Sequence, residues 1–133
     1  MLQKRQRTFE GKLAPEDVAW LTDSAKTYHL ADASKALRMV LDYVLQELPK
    51  EELFGKGGYS KDETGQETKG YILDVSHVLW LESTAGEKGF ASASALVDYV
   101  IGIARGVDPS LVFEIERSQR RIRTTSVRFS IKS

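Results

Sequence analysis

The 133 residues are 41% hydrophobic and 29% charged, the balance of a soluble globular domain long enough to bury a core. There is no cysteine, which excludes disulfides, thiolate metal sites and a cysteine nucleophile, and no apolar run approaches the ~20 residues of a membrane span. Nineteen bases balance nineteen acids, but residues 1–7 and 117–133 hold nine of the bases and no acid, which leaves an acidic body between basic ends.

In chain order, residues 4–12 read as a short extended segment with one aromatic, Phe9. The first residues carry bases with no apolar segment behind them, so no secretory signal is expected. Leu13-Ala14-Pro15-Glu16-Asp17 is a helix start, because proline suits the first helical position and acids suit the positive end of the helix dipole. Val18, Leu21, Ala25 and Tyr28 then recur at spacings of three and four. His29-Leu30-Ala31 is a tight connection. Ala31 or Asp32 caps a second helix with Ala33, Leu37, Val40, Leu41, Val44 and Leu48 inward, and Pro49 stops it. Residues 49–67, rich in glycine and charge, read as a linker with a helical turn over 50–54. Thr68 to Leu73 is a second extended segment. Asp74 caps a helix that runs to Gly86, Gly89 breaks the chain, and Phe90 opens another long helix ending at Gly106. A further helix begins at Asp108-Pro109-Ser110 with Leu111, Val112 and Ile115 inward. Residues 124–133 alternate Val127, Phe129 and Ile131 with Arg128, Ser130 and Lys132, the period of a half-buried strand.

The chain repeats itself at an interval of sixty. Between 8–44 and 68–104, aligned without a gap, ten positions are identical, among them Leu13, Val18, Trp20, Leu21, Ala25, Ser34 and Val40 with their partners. Such an interval identifies a structural unit written twice. One domain over 1–133 is expected, with repeat one at 4–48, a linker at 49–67, repeat two at 68–106 and a helix-strand extension at 107–133. Trp20 and Trp80 read as paired core anchors rather than as a ligand-stacking pair.

The order of extended segment, helix, tight turn and helix, with Leu13-Ala14-Pro15-Glu16 opening the first helix and Ser34-Lys35-Ala36-Leu37-Arg38 in the second, resembles the ribbon-helix-helix family of repressors and antitoxins. The second unit matches less closely, through Leu73 and Gly89-Phe90-Ala91-Ser92-Ala93-Ser94. The resemblance implies a mainly α fold with a short antiparallel ribbon. Members of that family form intertwined dimers, so two copies on one chain imply a pseudo-dimer. An unrelated bundle of five or six helices is the competing expectation.

The resemblance also implies an intracellular DNA-binding protein, a regulator of transcription, whose paired strands enter the major groove. Two strand registers stand open. If Leu13 faces inward, Thr8, Glu10 and Lys12 face out with Thr68, Gly70 and Ile72; a one-residue slip exposes Arg7, Phe9 and Gly11, or Lys69 and Tyr71, instead. The interface residues expected from the strand and basic ends are Lys4, Arg5, Arg7, Thr8, Lys12, Arg120, Arg121, Arg123, Arg128, Ser130 and Lys132. Duplex DNA is the expected partner, and the strand at 124–132 extends the ribbon or pairs with a second copy of the chain; the competing reading is a strand that closes a sheet edge with its charges solvated. The alternative is a protein-interaction module that kept the scaffold and lost DNA readout, which the acidic body favours. No enzyme activity, cofactor, metal or membrane is expected. His29 and His77 are isolated, no metal-ligand spacing accompanies them, and Gly55, Gly57 and Gly58 do not lie between a strand and a helix.

Overall fold

A computed structural model describes residues 5–55, 62 and 65–114. Lys4 and, from residue 115 onward, Ile115 and the expected C-terminal strand lie outside them, as do Arg120, Arg121, Arg123, Arg128, Ser130 and Lys132. The described chain is mainly helical with one two-stranded antiparallel sheet. Its elements in order are β1 (Gln6–Lys12), α1 (Pro15–Thr27), α2 (Ala33–Glu47), α3 (Lys50–Phe54), β2 (Thr68–Asp74), α4 (Val75–Lys88), α5 (Ala93–Arg105) and α6 (Pro109–Phe113).

Local chemistry accounts for the helix ends. Pro15 opens α1 with Glu16 and Asp17 in its first turn. The Asp32 carboxylate caps α2 by accepting from the Lys35 amide, and Ser92 caps α5 by accepting from the Ala95 amide. α5 therefore begins at Ala93, three residues later than the sequence suggested, because Ser92 ends the non-helical approach. Asp74 stands at the start of α4, but its carboxylate does not cap it. That carboxylate instead accepts from the Gln6 side chain at 3.2 Å. The turns between paired helices each need one left-handed residue: His29 has φ 58° and Gly89 φ 78°. Just beyond them the Leu30 amide donates to Ala25 O and the Phe90 amide to Ala85 O, which closes the exposed carbonyls of α1 and α4 alike.

β1 and β2 run from Gln6 opposite Asp74 to Lys12 opposite Thr68. Their inner face buries Phe9, Tyr71 and Leu73 over α2 and α5, whose Leu37, Val40, Leu41 and Val44 meet Leu96, Val97, Val100 and Ile101 in one continuous core. The halves are interleaved. α2 packs against β2, α5 packs against β1, and α2 and α5 pack against each other. The strand edges are tied the same way. The Lys12 amide donates to Ser94 Oγ and the Ile72 amide to Ser34 Oγ, both at 2.9 Å.

Three sequence expectations change. The sequence sets residues 107–133 outside the two repeats as an extension, yet α6 starts at Pro109 as α3 follows Pro49, and each short helix reaches the opposite half. Phe54 stacks on Tyr99 and meets Phe90 edge to face, and Phe113 stacks on Tyr28 and lies at a tilt against Trp20. Within α6 the inward residues are Val112 and Phe113; Leu111 is exposed. Trp20 and Trp80 are only partly buried, lying against the core rather than inside it.

Candidate nucleic-acid interface

The sheet has one covered and one open face, so the register settles which side chains are displayed. Thr8, Glu10 and Lys12 stand opposite Ile72, Gly70 and Thr68, and all six are exposed. The slipped register is excluded, because Phe9 and Tyr71 are 7% and 3% exposed and fill the core under the ribbon. Of the expected interface residues, Arg5, Arg7, Thr8 and Lys12 are brought together on or beside β1 and are exposed. The remaining seven lie outside the described residues.

The ribbon is held from beneath and at its edges. Ser34 and Ser94, in the first turns of α2 and α5, each accept a strand amide, as described above. Arg38 Nη1 donates to the Ile72 carbonyl at 2.6 Å, and the Ala14 amide donates to Asp98 at 3.0 Å. At the ribbon's far end Arg7 pairs with Glu82 at 3.1 Å, with both side chains half exposed. Such a pair contributes little to stability in water.

Charge is sorted over the surface. Arg5, Arg7, Lys12 and Lys69 are exposed on the ribbon, where Glu10 is the one exposed acid among the paired residues. Lys35 and Arg38 flank it from the start of α2. The exposed acids Glu16, Asp23, Glu51, Glu52, Glu82 and Glu87 sit on helices, while Asp32, Asp62, Glu67, Asp108 and Glu114 are exposed outside helices and strands. Sequence reasoning passed over Lys35, Arg38 and Ile72 as interface residues. The signal was present for the first two, which follow Ser34 in the motif whose serine anchors the strand edge.

Two buried polar clusters lie deeper, each joining the third residue of one half's first helix to the second helix of the other. Asp17 in α1 meets Arg105 at 2.9 Å and shares a hydrogen bond with Asp98. Burial first, and then the bond with Asp98, push the Asp17 carboxyl up to about 7 against the pull of Arg105. Burial and then the Asp98 charge also raise the Tyr71 hydroxyl, which is buried with no hydrogen-bond partner among the described residues. In α4, His77 Nε2 lies 2.9 Å from Asp42, and Nδ1 lies 3.8 Å from Asp74. Neither cluster places a nucleophile beside a base at an open cleft. Among the described residues no three His, Asp or Glu side chains are arranged to hold a metal, and no helix is long and apolar enough to cross a membrane.

What the geometry defines is a helical scaffold that displays a basic two-stranded ribbon. Compared with known protein families, characterised proteins and solved structures, the chain matches none.

Proposed function

We propose that the chain is a tandem ribbon-helix-helix protein, two copies of one unit fused into a single-chain pseudo-dimer, and that its ribbon enters the major groove of duplex DNA. Features sixty residues apart support the first half of this reading. Ser34 and Ser94 bind the amides of Ile72 and Lys12. His29 and Gly89 take the left-handed turn. Asp32 and Ser92 cap corresponding helices. Glu10 and Gly70 face each other at the ribbon's middle, so a half-turn about that pair exchanges the strands.

The observation that carries the second half is charge at the right shape: an exposed antiparallel ribbon that shows Arg7, Lys12 and Lys69 against the single exposed acid Glu10 among its paired residues, with Arg5 beside it. Two-stranded ribbons fit the major groove, and bases beside them meet phosphate. Transcription regulation and an intracellular site of action follow from this reading. The experiment is an electrophoretic shift of random duplex at low salt, repeated across a salt series. Binding that weakens steeply with salt, and a smaller salt slope for the Arg5→Ala, Lys69→Ala double variant, are the expected results.

The second reading is a protein-interaction module on the same scaffold. It is favoured by the centre of the ribbon, where Ile72 is 42% exposed and Glu10 faces a glycine. No shift at any salt concentration would leave this reading in place of the first.

A further inference from the structure

The open face of the ribbon is geometrically even but chemically uneven. Corresponding positions on the two strands carry threonine twice, at Thr8 and Thr68, and then part company: Glu10 answers Gly70, and Lys12 answers Ile72. One half of the face therefore presents an ammonium and the other a branched alkyl group. The flanks differ as well. Beside Ile72, α2 carries Lys35 and Arg38, and the Arg38 guanidinium reaches the Ile72 carbonyl. Beside Lys12, α5 carries Ala95 and Asp98 at the corresponding places, and Asp98 is turned inward onto the Ala14 amide. The other base at the Lys12 end is Lys69, opposite Gly11, whereas Arg7, opposite Leu73 at the Ile72 end, is paired with Glu82.

We infer that this ribbon reads a duplex sequence that has no dyad symmetry, by hydrogen bonding in the Lys12 half and by apolar contact in the Ile72 half. The inference rests on the groove-binding reading above and deepens it. An ammonium donates to the O6 and N7 acceptors of guanine, and a branched alkyl group packs on the thymine methyl. The central Glu10 carboxylate accepts only from a donor, which in the major groove means the amino group of cytosine or adenine. A symmetric pair of half-sites would put the wrong edge against one side of the ribbon. Phosphate contact is weighted in the same sense: Lys35 and Arg38 flank the apolar half, where base hydrogen bonds are fewest, against Lys69 in the Lys12 half.

The test is selection of tight-binding sequences from a randomised duplex pool by the full chain, repeated with Lys12→Ala. The Lys12 side chain is exposed, and only its backbone amide is used in the fold, so truncating it leaves the scaffold intact. The expected result is an enriched motif that is not its own reverse complement. Lys12→Ala is expected to lower affinity for that motif about tenfold and to erase the guanine preference at one end only. A palindromic motif, or loss of preference at both ends, overturns the inference and leaves groove binding standing. So does a salt-sensitive shift with no sequence enriched. Absence of any shift at low salt overturns the groove-binding reading and this inference with it.

Discussion

Among single residues, His29 and Gly89 make the clearest experiment. Both close a helix-helix turn with positive φ, and only one of them is glycine. A histidine side chain is strained in the left-handed region, and glycine is not. His29→Gly is therefore expected to stabilise the protein by up to about 1 kcal/mol, and Gly89→Ala to destabilise it by about the same amount, in urea or thermal unfolding. Asp17 gives a second experiment. Its carboxyl is held near 7 in the folded chain and titrates near 3.8 in the unfolded one, so the folded state binds the extra proton between those values. The stability it contributes is present in acid and is lost as pH rises through about 7. Asp17→Asn copies the protonated form. It is expected to match the parent near pH 3, below the unfolded value, and to exceed it above pH 8 by on the order of 1–3 kcal/mol, as read from paired unfolding curves. A parent and variant that differ equally at both pH values would refute this. The glycine was legible as a break. That His29 does the same work was not, because nothing local marks a histidine as left-handed, and the partners of Asp17 are 81 and 88 positions away.

Elements were legible where a local rule decides them. Pro15, Asp32 and Gly89 punctuate the chain by their own chemistry, and the apolar spacing of α2 and α5 follows directly from a buried face. The short helices were legible as a turn over 50–54 and a start at Asp108-Pro109-Ser110, but what they pack against was not. α3 stood inside a glycine-rich linker, and its value lies in what it reaches: Leu53 is 3% exposed, Phe54 stacks on Tyr99, and Lys50 pairs with Glu87. α6 does the same for the other half through Val112 and Phe113. Phe113→Ala is expected to cost about 3 kcal/mol, a core-sized loss from a five-residue helix. The serines that tie the ribbon to the helices give a matched pair. Ser34→Ala and Ser94→Ala each leave one strand amide without its acceptor and are expected to cost about 1–2 kcal/mol apiece by denaturant unfolding. Costs that differ by much more than that range would break the correspondence between the two sites.

Across the molecule, the interval of sixty was visible in the sequence, and the pairing of two short strands was expected from the resemblance. What sequence could not supply was the face of the ribbon. Both registers satisfied the strand pattern, and the choice was made by Phe9 and Tyr71 filling the space above α2 and α5, a packing decision that involves the entire core. The same choice displays Glu10, Gly70 and Ile72, which is why the candidate interface is more mixed than the basic ends suggested. One consequence of strands that pair across so much intervening chain concerns synthesis on the ribosome. β1 emerges first, yet the strand that completes it follows some sixty residues later, and α5, which covers its underside, later still. Until then α2 has α1 beside it, but the side that meets β2 and α5 stays open to water. The shared core closes only once α5 has left the ribosome.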